Sequence, residues 1–103
     1  MTKKRYIYLI NIDMVFEGVP KESVTRVVLD PYSSFDKADK ATEMVYNQCI
    51  EESKKYPRSN VSEKKLVTSK FDEQRSITVY EWIVRSGLVE EKYTARIKKL
   101  EVQ

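Results

Sequence analysis

Histidine is absent from this 103-residue chain, and cysteine occurs once. Without histidine, the chain lacks the commonest general base and the commonest zinc ligand. Its single cysteine, Cys49, cannot form an internal disulfide, which is typical of proteins of a reducing compartment. The two glycines, Gly18 and Gly87, lie far apart in the sequence, so a glycine-rich loop that binds phosphate is not expected.

Long apolar runs and a strong net charge are missing as well. No segment approaches the ~18–20 apolar residues of a membrane-spanning helix. The basic start of the chain precedes apolar residues, but Asn11 and Asp13 interrupt them and no small-residue cleavage site follows, so a signal peptide is not indicated. We therefore expect a cytoplasmic protein with no membrane partner.

Two segments of the chain are apolar on both faces of a strand. Alternate positions of Tyr6–Phe16 and of Ile77–Val84 carry aromatic or aliphatic side chains in both registers. Successive side chains of a strand point to opposite faces, so each segment is predicted to be a strand with two faces to bury. One helix can cover one face of a small sheet, and a second protein chain is the simplest cover for the other.

The first half of the chain predicts a hairpin. A strand is expected over Arg5–Phe16, a turn over residues 18–22, and a second strand over Ser23–Leu29. Asp30-Pro31 is expected to end that second strand, because proline cannot donate to a sheet.

A long helix is predicted to follow. Ser33 or Ser34 is expected to cap it, with Asp36 three residues after Ser33 as in a capping box, and Pro57 is expected to stop it at about Tyr56. Glu51 and Lys55 should form a favourable pair four residues apart. One apolar stripe recurs at helical spacing: Ala38, Ala41, Thr42, Val45, Cys49 and Tyr56.

The second half predicts further strands. A polar loop is expected over Arg58–Lys64, a short strand over Lys65–Phe71, a turn over Asp72–Arg75 and a central strand over Ser76–Arg85. Leu88–Val102 fits a strand by alternation and a helix by three- and four-residue steps. We favour the strand, because it can pair with the preceding strand across a short turn.

These elements define one domain, residues 1–103, of the α+β class. We expect a single antiparallel sheet of four to five strands in the order β-β-α-β-β-β, with one long helix on one face. The run Tyr32-Ser33-Ser34-Phe35-Asp36-Lys37-Ala38, followed by Ala41, resembles a group of small uncharacterised bacterial and phage proteins. In that group a hairpin leads through a Tyr-Ser-Ser turn into a helix. The resemblance covers about the first 56 residues and implies the same fold, with no activity to carry over.

Candidate chemistry is sparse in this sequence. Cys49 lies on the apolar helix stripe, and no histidine is present to activate it, so we predict a structural role. The acids Asp13, Glu17, Glu81, Glu90 and Glu91 could supply carboxylate chemistry or a magnesium site, but no spacing selects two of them. Glu81 is the most unusual, since it falls among apolar residues on one strand face. We predict no catalytic residue, no metal and no cofactor.

Aromatic residues on the two long strands are the best binding candidates. Tyr6, Tyr8, Tyr80 and Trp82 could share the sheet face that the helix leaves open, if the first and the central strand are neighbours. Each buries on the order of 150–250 Å² when covered. We therefore predict a non-catalytic protein-binding or assembly domain, self-associating as a homodimer, with Glu81 as a further interface or binding candidate. The alternative is a single-stranded nucleic-acid-binding protein that stacks bases on these rings. The net charge of +3 makes any such binding weak and salt-sensitive.

Overall fold

The amino-terminal half folds into two long strands and a helix. The computed structural model describes residues 4–17 and 23–102. Strand β1 spans Arg5–Glu17, β2 spans Ser23–Tyr32, and helix α1 spans Phe35–Ser53. The turn predicted over residues 18–22 lies outside the described residues.

Strand β2 continues past the predicted break at Asp30-Pro31. Ile10 of β1 pairs with Leu29, and Tyr8 pairs with Tyr32, so two residues of β2 stand opposite one residue of β1. This β-bulge accommodates Pro31 within the strand. Strand β2 also lies at the edge of the sheet, where the missing N–H of a proline costs least. The expected strand end was therefore wrong.

The carboxyl-terminal half contains four further strands and a short helix: β3 Ser59–Val61, β4 Lys65–Leu66, α2 Lys70–Gln74, β5 Ile77–Ser86 and β6 Val89–Val102. The segment predicted as a polar loop thus contains β3, and the strand predicted over Lys65–Phe71 shrinks to two residues. The polar turn predicted over Asp72–Arg75 is mostly α2, because Ser69 and Asp72 form a full capping box. The last segment is a strand, as favoured.

The strands form one antiparallel sheet in the order β2-β1-β6-β5-β3, with β4 also pairing with β5. The predicted α+β architecture is confirmed: one antiparallel sheet and one main helix. Strand β6 lies between β1 and β5: its residues 90–102 pair with β1 and its residues 89–98 pair with β5. Strands β1 and β5 are therefore not neighbours, although the predicted shared aromatic face required them to be.

Helix α1 covers one face of the sheet, called here the helix side. Its core is a cluster of residues that are at most 2% exposed: Ile10, Ile12, Ala38, Trp82, Ala95 and Ile97. Ala38 on the helix and Ala95 on β6 are small, which lets the two backbones approach closely. Ala41, Val45 and Cys49 pack against this cluster, as the apolar stripe predicts. Tyr56 lies beyond the helix end and is 61% exposed.

The ends of α1 differ in detail from the expectation. Ser34 is the N-cap, and its hydroxyl accepts a hydrogen bond from the backbone N–H of Lys37 at 3.2 Å. The helix ends at Ser53, three residues before the predicted Tyr56. Lys54 and Lys55 lie past this end. Lys54 pairs with Glu51 and Lys55 pairs with Glu52, each three positions back in the sequence. The predicted Glu51–Lys55 pair does not form.

The opposite face of the sheet is partly apolar and partly charged. Along β1 this face carries first Ile7 and Leu9 and then Asn11 and Asp13, and all four are partly exposed. Of the two described helices, only α1 contacts β1 and β6, and it does so on the helix side; α2 contacts β5 alone. Leu9 stands opposite Lys98 of β6, and long cationic side chains can shield such apolar neighbours with their methylene stems.

Candidate functional site

A cavity of about 590 Å³ opens on the helix side of the sheet, beside the first turn of α1. We call it the aromatic groove and define it by its principal lining residues, which are Tyr8, Phe35, Leu66, Glu73, Tyr80 and Lys99. It joins three aromatic rings from β1, α1 and β5 with an aliphatic side chain from β4. Cavities of this size and composition are typical of binding sites.

The amino-terminal turn of α1 positions Phe35 against Tyr8 of β1. Phe35 is the first residue after the Ser34 cap, so the cap fixes where its ring emerges. That ring meets Tyr8 edge-on, with 6.2 Å between ring centroids and 68° between ring planes. Phe35 remains 39% exposed. The groove therefore presents an apolar wall to solvent.

Tyr80 is held in place by one polar contact at its hydroxyl and one at its ring. The hydroxyl donates to Asp39 of α1 at 2.7 Å, and the Lys64 ammonium lies 4.6 Å from the ring centroid. Burial, followed by the hydrogen bond to Asp39, raises the pKa of Tyr80 to about 12. The phenol is thus neutral at physiological pH, and its hydroxyl is anchored to α1 through Asp39.

Tyr6 lies next to the groove on the same face of β1 as Tyr8. The ammonium of Lys99, which lines the groove, lies 4.1 Å from the Tyr6 ring centroid. Tyr6 is 37% exposed. The structure therefore brings three of the predicted binding residues, Tyr6, Tyr8 and Tyr80, to one end of the helix side.

Trp82 occupies a different place from the one expected. It is 1% exposed beneath α1, stacked on Tyr93 at 5.3 Å and met edge-on by Tyr46 at 5.4 Å. Its indole N–H has no partner with hydrogen-bond geometry among the described residues; the sulfur of Cys49, a weak acceptor, interacts with it. Trp82 is a core residue. The picture of four aromatics sharing the face opposite the helix is therefore wrong, because their strand positions all point to the helix side.

Glu81 points to the opposite face, since its neighbour Trp82 faces the helix. Its carboxylate lies 3.4 Å from the ammonium of Lys92. Asp13 and Glu90 are paired in the same way, at 2.8 Å from Arg96 and 2.6 Å from Arg85.

Glu91, in contrast, points to the helix side and accepts a hydrogen bond from the Tyr93 hydroxyl at 2.6 Å. Within residues 4–17 and 23–102 there is no group of three or more acidic or cysteine side chains that could hold a metal ion. The side chain of Glu17 lies outside the described part of the structure.

Cys49 is partly exposed and borders a second cavity, at the other end of α1. Burial raises the pKa of its thiol, and hydrogen bonds with Trp82 and Tyr93 partly offset that rise. A thiol with a raised pKa is a poor nucleophile at neutral pH.

Four residues of the aromatic groove were not among the predicted interface or binding residues: Phe35, Leu66, Glu73 and Lys99. Phe35 could have been found, because it directly follows a capping serine and is too large to be expected at an exposed helix start. Leu66 and Lys99 carry no such signal. Their positions depend on a two-residue strand and on the register of β6 against β1.

Comparisons with known proteins identify no relative of this chain. No protein-family model matches the sequence, and no curated protein or solved structure matches it at a significant level. Neither described helix is long and apolar enough to cross a membrane.

Proposed function

We propose that this domain is a non-catalytic assembly protein of the cytoplasm, and that two copies bind each other through the aromatic groove. One observation carries the proposal: an open cavity of about 590 Å³ lined by three aromatic rings. Apolar concavities at a protein surface are typical of sites that take up an apolar side chain from a partner.

A second copy is the partner we favour, because the groove lies beside a side chain that could fill it. Leu66 borders the groove and is 66% exposed. In a two-fold dimer the same patch is used on both chains. Leu66 of each chain can then enter the groove of the other, against Tyr8 and Tyr80.

The charges that border the groove support the same arrangement. Lys99 and Glu73 both line it and carry opposite charges. A two-fold axis through the patch can set Lys99 of one chain toward Glu73 of the other, twice per dimer. Such complementarity favours self-recognition over like-charge repulsion.

Sedimentation equilibrium at tens of micromolar tests the proposal with one variant and one matched control. The wild-type chain should sediment at twice its own mass. Leu66→Glu should sediment as a monomer, because it places a charge in an apolar interface. Leu88→Glu is the control, since Leu88 is 94% exposed. It lies in the turn after β5, roughly 20 Å along the strand from Tyr80, the partner of Leu66.

Three outcomes would count against self-assembly through the groove. A monomeric wild-type mass at that concentration would refute self-association. A dimer that Leu66→Glu leaves intact would place the interface elsewhere. Binding of a single-stranded oligonucleotide at about 0.15 M salt with a micromolar or lower dissociation constant would favour nucleic-acid recognition by the same rings instead.

A further inference from the structure

A second cavity lies at the carboxyl-terminal end of α1, independent of the aromatic groove. It encloses about 410 Å³ between that end of the helix and strands β3, β5 and β6. This volume falls within the roughly 300–1,000 Å³ that is usual for small-molecule sites. We call it the Glu91 pocket and define it by Val45, Cys49, Ser59, Val84, Glu91 and Tyr93.

The Glu91 pocket combines an apolar wall with a set of hydroxyl groups. Val45 and Val84 supply aliphatic surface. Ser53, which is 8% exposed, and Ser86 both donate to the hydroxyl oxygen of Ser59, each at 3.0 Å. Because the Ser59 oxygen accepts twice, its own proton can be donated into the pocket.

The charged groups of the pocket all have the same sign. Glu52 and Glu91 line it, and none of its described lining residues is a lysine or an arginine. Glu52 is already paired with Lys55 at 3.0 Å. Among the described residues, the carboxylate of Glu91 accepts one hydrogen bond, from Tyr93, and a carboxylate can accept about four. Glu91 therefore has capacity for a donor from a ligand.

We propose that the Glu91 pocket binds a small primary amine with an aromatic or branched apolar part. The ammonium group donates to Glu91, and the Ser59 hydroxyl, which also lines the pocket, is a further polar group. The apolar part packs on Val45, Val84 and the ring of Tyr93. A neutral or anionic analogue of the same shape lacks the charge-assisted bond and binds more weakly.

The chain contains two built-in reporters for this pocket. Trp82 is its only tryptophan, and it stacks on Tyr93, which lines the pocket. Cys49 is its only cysteine and lines the pocket directly. A bound amine should therefore change Trp82 fluorescence and slow alkylation of Cys49 by N-ethylmaleimide.

The experiment titrates the native protein with phenethylamine, 2-phenylethanol and phenylacetate. Phenethylamine should give a saturable fluorescence change and protect Cys49, whereas the alcohol and the acid should do so only at far higher concentration. Glu91→Gln keeps an acceptor for Tyr93 but removes the charge, so it should weaken phenethylamine binding at least about tenfold. Glu90→Gln is the matched control, because the neighbouring Glu90 points to the opposite face and pairs with Arg85.

Several results would overturn the inference. One is the absence of a saturable response to phenethylamine at concentrations up to about 10 mM, since a specific site should have a lower dissociation constant than that. Another is binding of 2-phenylethanol with the same affinity as phenethylamine, which would mean that the pocket recognises only apolar shape. Equal losses in Glu90→Gln and Glu91→Gln, with unchanged circular dichroism, would mean that surface charge alone attracts the amine.

Discussion

Replacing Trp82 with alanine tests whether this ring is a core residue, as the structure indicates, or a surface residue, as its sequence position suggested. The side chain is 1% exposed and touches two aromatic rings. Truncating a buried tryptophan lowers the free energy of unfolding by about 3–5 kcal/mol. Each lost aromatic pair contributes roughly 0.5–1.5 kcal/mol to that loss. We expect the upper part of the range, about 4–5 kcal/mol, because Ala38 and Ala95 beside it are too small to fill the space.

Urea unfolding followed by far-ultraviolet circular dichroism measures this loss without relying on the tryptophan signal. A domain of this size has roughly 5–15 kcal/mol of stability, so Trp82→Ala should unfold at much lower urea or be partly unfolded in buffer. Phe71→Ala is the control: Phe71 is 58% exposed, and its loss should cost less than about 1 kcal/mol. If Trp82→Ala stays within about 1 kcal/mol of the wild type, Trp82 is not buried under the helix and the packing described here is wrong.

Three smaller predictions concern the helix cap, the thiol and alkaline pH. Ser34→Ala should cost about 1 kcal/mol in urea unfolding, whereas Ser33→Ala should change stability by less than about 0.5 kcal/mol; equal losses would contradict the assignment of the cap. Cys49→Ala should cost about 1 kcal/mol, and the native thiol should react with a thiol reagent much more slowly than in the unfolded chain. Burial raises the pKa of Tyr80 to about 12 and raises that of Tyr93 as well. Since these pKa values exceed the unfolded value near 10, the stability from the neutral phenols is complete below about pH 10 and falls as the pH rises toward 12; constant stability across that window would contradict their burial.

The aromatic groove shows why a candidate site is harder to predict than a fold. Tyr8 and Tyr80 were chosen as binding residues because they are strand aromatics, and both line the groove. The shared face predicted for them required β1 and β5 to be neighbours. In the folded chain β6 separates the two strands. Tyr8 and Tyr80 nevertheless line the same cavity, together with Phe35 at the start of α1.

Local rules determined most of the secondary structure from the sequence alone. Alternation of side chains predicted β1, β5 and β6, and the serine pair with the following apolar stripe predicted α1. These features depend on neighbouring residues, so sequence spacing is enough to find them. The rules failed at Asp30-Pro31 and over Lys65–Arg75, where a bulge, an edge position and a short capped helix decide the backbone.

Tertiary structure alone decided which face of each strand the helix covers. Tyr80, Trp82 and Val84 alternate with Val79, Glu81 and Ile83, and both sets are largely apolar, so periodicity cannot choose between them. The choice depends on the register of β5 against β6, which places Trp82 beside Tyr93 and Tyr80 beside Ala95. That register places the small residue Ala95 under α1 and the large rings around it. Only the complete sheet, with its helix in place, selects this arrangement.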